Sequence, residues 1–129
     1  RRHQSRAGAV DAAPAAVGPY SQAIKAGGFL FCSGQLGIDP ATGKLASEDA
    51  AGQARQALKN ITAVLAEECL GLSDVIKTTI FLTSLDDFAA VNETYAHCFR
   101  THKPARSTVA VAALPLKAKI EIECVAELN

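Results

Sequence analysis

No apolar run in this 129-residue sequence comes near the roughly 18 residues that a membrane-spanning helix needs, so no membrane association is expected. Charge of one sign is missing too. The 13 Lys and Arg residues balance the 13 Asp and Glu residues, which argues against the basic surface of a nucleic-acid-binding domain. Aromatic residues make up only 5% of the chain, few for stacking bases. The four cysteines, Cys32, Cys69, Cys98 and Cys124, form no CxxC pair and are widely spaced. A zinc site or a disulfide framework is therefore not expected; buried free thiols in a reducing compartment are. His97 and His102 do not stand at i and i+4, and Pro104 cuts their helix short, so no metal is expected there. Gly34-x-x-Gly37 is too weak for a phosphate loop, and Cys32-Ser33-Gly34-Gln35 is not a Gly-x-Ser-x-Gly elbow. There is no internal repeat, no low-complexity tract and no linker long enough to divide the chain.

What is present fits one domain. Hydrophobic residues are 49% and charged residues 20%, and a chain of this length buries about two-thirds of its unfolded surface. The charge is uneven: Arg1, Arg2 and Arg6 precede the first acid, Asp11. Without these three, 10 basic residues stand against 13 acidic ones, a net charge of −3. Residues 1–12 are expected to be a flexible basic arm and 13–129 a single domain. The arm reads either as a frayed or added end, or as the remnant of an organelle-targeting peptide. Cytoplasm is the default compartment, with mitochondrion and plastid left open by the arm.

Tyr20–Ala26 and Phe29–Cys32 flank Gly27-Gly28, the pattern of a β-hairpin. Asp39 to Gly43 is a turn cluster. Ser47-Glu48-Asp49 predicts a helix start, with Ser47 as cap and two carboxylates in the first turn. Ala50, Ala54, Ala57, Leu58, Ile61, Val64 and Leu65 continue it to about Cys69. Val75–Thr83 is a strand. Asp86 is placed to cap a second helix with Phe88, Val91, Tyr95 and Phe99 on one face. Ser107–Val111 and Lys119–Glu127 complete a β-β-α-β-α-β-β order, the last strand alternating with Ile120, Ile122, Cys124 and Ala126 on one face. Right-handed crossovers place both helices on one side of the sheet. Several strands are nevertheless apolar on both faces: Phe29 and Phe31 against Leu30 and Cys32, Val109 and Val111 against Ala110 and Ala112. A second subunit is expected to cover the open face.

Polar groups that packing does not call for gather in a few segments. Arg106 follows Pro104-Ala105 at the start of an apolar strand, where its planar fork suits a carboxylate; a surface ion pair or a loop-bracing role is the plainer alternative. Glu121 and Glu123 share a strand face, either as a solvated surface or with one acting as a general base beside Arg106. Ser33 is expected to orient a ligand or cap a strand end instead of attacking. Tyr20 either aims a phenol into a cleft or fills the core. Asn92, a poor mid-helix residue, either bonds across an interface or faces solvent.

Together these segments resemble the RidA (YjgF/YER057c/UK114) family, from about Ala13 to Ala126. The resemblance rests on Gly18-Pro19-Tyr20-Ser21-Gln22-Ala23, Ser33-Gly34-Gln35, Val75-Ile76-Lys77-Thr78-Thr79, Asp87-Phe88, Val91-Asn92-Glu93-Thr94-Tyr95, Pro104-Ala105-Arg106-Ser107 and Ile120-Glu121-Ile122-Glu123. It implies a chorismate-mutase-like α+β fold, a homotrimer with ligand clefts between subunits, and no cofactor. The implied activity is that of a 2-iminobutanoate/2-iminopropanoate deaminase in metabolite damage control, hydrolysing reactive imines and enamines to 2-oxo acids and ammonia. Arg106 then binds the substrate carboxylate and Glu121 handles water, with Tyr20, Ser33, Asn92, Ser107 and Thr108 in the cleft. Thr108 stands where some members carry cysteine, Lys103 where many carry Phe, and Cys69 where a helix-ending Gly is frequent. Two other readings remain open: a non-catalytic module that binds 2-oxo acids, and a ribonuclease or translation inhibitor. The acidic globule and the scarcity of aromatics weigh against the last.

Overall fold

The computed structural model describes residues 3–4, 13–16 and 18–129. In chain order they form β1 (His3–Gln4), β2 (Ala23–Ala26), β3 (Phe29–Leu36), α1 (Ala50–Ala66), β4 (Val75–Leu82), α2 (Phe88–Phe99), β5 (Ala105–Ala110) and β6 (Ile120–Glu127). One mixed sheet runs β1-β2-β3-β6-β4-β5; β4 and β5 are parallel and every other neighbouring pair is antiparallel. Of the expected N-terminal arm, His3 and Gln4 pair with Lys25 and Ile24, and the rest lies outside the described residues. Among the described residues no helix is long and apolar enough to cross a membrane.

The hairpin forms because Gly27 and Gly28 both take positive φ, +58° and +86°, which a tight two-residue turn demands and other residues resist. β2 starts at Ala23 instead of Tyr20, since the Tyr20 amide turns back to donate to the Gly18 carbonyl. β3 runs past Cys32 to Leu36 through a bulge between Cys32 and Gln35.

Both helices start differently from the sequence reading. Asp49, not Ser47, caps α1: its carboxylate accepts from the Gly52 amide at 2.8 Å and from the Ser47 hydroxyl at 2.7 Å. Those two bonds, the Ser47 one first, hold the Asp49 carboxyl below its usual range. The helix ends at Ala66, before the expected Cys69, which itself takes a left-handed φ of 59° and reverses the chain. Asp86 caps nothing. Ser84 accepts from the Asp86 amide to start a short 3-10 turn, and α2 follows it.

Leu30, Leu58, Ile61, Leu65, Ile80, Leu82, Ile120 and Ile122 are fully buried between the sheet and the helices, each worth about 1.5–3 kcal/mol over exposure. α1 lies on β3 and β6, and α2 lies on α1. The Tyr95 hydroxyl of α2 meets the Thr78 hydroxyl of β4 at 2.7 Å, so both helices cover the same side. Two buried amides tie this layer to the strands that carry the site. Asn60 donates to the Leu36 and Ile38 carbonyls beyond the bulge. Gln53 accepts from the Lys119 amide just before β6.

Cys32 and Cys124 are buried opposite each other, and the Cys32 thiol together with burial pushes the Cys124 thiol far up, leaving it unreactive. Cys69 departs from the expectation of burial and is exposed, being at the helix-ending turn. The sheet face away from the helices leaves large apolar side chains in the open: Phe31 is 47% exposed and Val109 43%.

Candidate functional site

Alternation along β6 sends Ile120 and Ile122 into the core and Glu121 and Glu123 to the open face. Glu121 lies in register with Leu36 of β3 and Phe81 of β4. Its carboxylate occupies the space left by Gly34 in the β3 bulge, where a Cβ would come within 2.5 Å of Oε2. Only glycine leaves that carboxylate in place. Glu121 is half-buried, and this burial, helped by the neighbouring Glu123 charge, raises its pKa above the usual carboxylate range.

The bulge also positions Ser33. Its amide donates to the Gln22 carbonyl at 2.9 Å and its hydroxyl to the Ser21 carbonyl at 2.6 Å. With the hydroxyl proton committed there, Ser33 offers acceptor lone pairs and not a nucleophile. Tyr20, half exposed beyond Gly18-Pro19, joins Ser33, Gly34 and Glu121 around a cavity of about 880 Å³ whose rim includes Pro115 and Leu116.

Arg106 lies elsewhere. On β5 it is in register with Thr78 of β4, itself in register with Cys124 of β6, which puts it on the helix face. Its guanidinium sits 5.0 Å from the Tyr95 ring centre and 5.7 Å from that of Phe88. It is exposed and makes no ion pair among the described residues. Asn92 of α2 and Lys103 join Arg106 around a second cavity of about 500 Å³.

One chain therefore gathers Tyr20, Ser33 and Glu121 in one place and Arg106 and Asn92 in another. Glu121 and Arg106 occupy opposite faces of the sheet, and no pairing inside a single copy brings them together. Ser107 is on the open face, where the Lys77 ammonium donates to its hydroxyl at 3.4 Å. Thr108 is on the helix face with its hydroxyl buried and without a partner among the described residues. Two contributors were missed from sequence. Gly34 stands out in the sequence only as part of a motif, and no sequence signal marks Leu116.

The family model described as Endoribonuclease L-PSP matches residues 10–128. The chain belongs to the RidA family. Reactive Intermediate Deaminase A, chloroplastic, from Arabidopsis thaliana is 57% identical over 116 residues; these are 90% of this chain and 62% of that relative, so the chain spans less than two-thirds of it. The 2-iminobutanoate/2-iminopropanoate deaminase of Salmonella typhimurium is 48% identical over 121 residues, covering 92% of this chain and 94% of that one. A crystal structure of Escherichia coli TdcF with bound serine superposes with a TM-score of 0.87 at 42% identity, covering 92% of this chain and 95% of that one. The RidA fold thus accounts for the mixed sheet with both helices on one side, and its members include proteins named as imine deaminases.

Proposed function

We propose that this RidA-family chain is a deaminase that hydrolyses 2-iminobutanoate, 2-iminopropanoate and their enamine tautomers to 2-oxo acids and ammonia. The observation that carries the reading is Glu121, a half-buried carboxyl of raised pKa fitted over Gly34 in a cavity with Tyr20 and Ser33. A base tuned toward neutrality is suited to exchanging a proton with water. The deaminase names of relatives at 46–57% identity support the same chemistry.

The step balances without a cofactor. The imine nitrogen is protonated, which makes the carbon electrophilic. Water adds to that carbon while Glu121 takes one of its protons. Glu121 then gives that proton to the nitrogen of the carbinolamine. As the C–N bond breaks and ammonia leaves, the carbinol hydroxyl returns its proton to Glu121 and becomes the C=O of the 2-oxo acid. Glu121 passes this proton to the released ammonia, which departs as ammonium. Ser33, an acceptor, orients the N–H or the water, and the Tyr20 phenol donates from the other wall. The substrate carboxylate needs a cation, and among the described residues none lines the Tyr20 cavity. We assign it to Arg106 of a second copy, with Asn92, in a homotrimer whose clefts lie between subunits. The open apolar face carrying Phe31 and Val109 supports such an assembly. RNA cleavage, which the family description names, has less support from the net acidic charge of residues 7–129.

Coupling a threonine dehydratase to this protein tests the proposal. Formation of 2-oxobutanoate is expected to accelerate in proportion to the protein added. No gain over the blank rejects it, and binding of 2-oxobutanoate without turnover points to a binding module instead.

A further inference from the structure

The turn from Pro115 to Ala118 breaks the rules of its own geometry. Leu116 (φ 59°, ψ 23°) and Lys117 (φ 58°) are both left-handed, and the Ala118 amide donates back to the Pro115 carbonyl at 3.0 Å. Left-handed conformation at both central residues is the pattern of a type I′ turn, which selects Asn-Gly or Gly-Gly because a Cβ is strained there. Leu116 is 61% exposed, more than any other exposed large hydrophobic residue described. The turn is nevertheless held firmly: Pro115 restricts one end, and on the other Ala118 is buried and the Lys119 amide is bonded to Gln53. What this conformation achieves is placement. Leu116 stands on the rim of the cavity that contains Tyr20, Ser33 and Glu121. Strain kept at such a position points to function.

We infer that Leu116 is a specificity-determining residue, an apolar wall that receives the aliphatic side chain of a 2-imino acid while Glu121 and Ser33 attend to the C=N bond. This rests on the deaminase reading and extends it to a substrate class: imines of amino acids with side chains of several carbons. Pro115, Ile38 and Leu36 continue the apolar surface around the same cavity.

The test compares Leu116→Asn with wild type on two imines generated in situ by an L-amino-acid oxidase, one from leucine and one from alanine. Asn tolerates the left-handed conformation, so the melting temperature does not fall. With the leucine-derived imine, kcat/KM is expected to drop about 10-fold, mainly through KM, and with the alanine-derived imine by less than about 2-fold. Leu116→Met restores the preference. If Asn proves unstable, Leu116→Gly relieves the strain and reads the same ratio. An equal fall for both imines, or none for either, overturns the inference. So does an unchanged ratio with a smaller sedimenting species, which makes Leu116 a contact between copies. Wild type inactive on both imines sinks the deaminase reading and this inference together. Wild type active on both, with the ratio preserved in the variant, sinks only this one.

Discussion

Replacing Glu121 with Gln is expected to lower kcat/KM on small 2-imino acids by about 100- to 10,000-fold, the usual contribution of a positioned acid–base group. Gln keeps the shape over Gly34 and removes the proton acceptor, so the loss should fall mainly on kcat. The pH profile gives an independent readout. Glu121 works as a base only when ionised, so activity falls as pH drops through its raised pKa. Glu123 contributes to that rise, and Glu123→Gln should therefore move the acid limb to lower pH. Stability runs the other way. A carboxyl whose pKa is raised by folding binds its proton more tightly in the native state, so the native state loses stability as pH rises from the ordinary carboxylate value through the raised one. Glu121→Gln should accordingly be more stable than wild type above that window and no more stable below it, as read from denaturant midpoints. A variant that is inactive and also destabilised above the window would mean that Glu121 is a structural residue.

The second large effect is expected at Arg106. Removing a cation that pairs with a carboxylate costs about 2–5 kcal/mol, or roughly 30- to 4,000-fold in kcat/KM for Arg106→Ala. Lys should recover only part of it, because an ammonium cannot offer two parallel donors. The side chain is exposed, and its guanidinium lies against the Tyr95 and Phe88 rings. Its loss should cost the fold only about 0.5–1 kcal/mol. Unchanged steady-state kinetics in Arg106→Ala would remove the proposed carboxylate site.

Much of this arrangement is legible in the residues themselves, and its limits are instructive. The alternation of Ile120, Glu121, Ile122 and Glu123 states which side chains face the core, and the helical spacing from Ala50 to Leu65 is unambiguous. The choice between Ser47 and Asp49 as cap is not, because both are good caps and the hydroxyl is spent on the carboxylate. Cys69, Leu116 and Lys117 adopt left-handed conformations that no residue type there announces. The role of Gly34 depends on which strand lies opposite the bulge, and that is a property of the sheet order. The same holds for Arg106 and Glu121. Each is a functional candidate beside a plainer surface reading, and only the register through Thr78 and Phe81 reveals that they face opposite ways in one copy.

That separation makes the central claim testable by mixing two inactive proteins. Arg106→Ala and Glu121→Gln chains, co-refolded in equal amounts, should regain about a quarter of wild-type activity, since that share of clefts then combines an intact Arg106 from one copy with an intact Glu121 from its neighbour. Activity that stays at the sum of the two separate variants would contradict a site shared between copies.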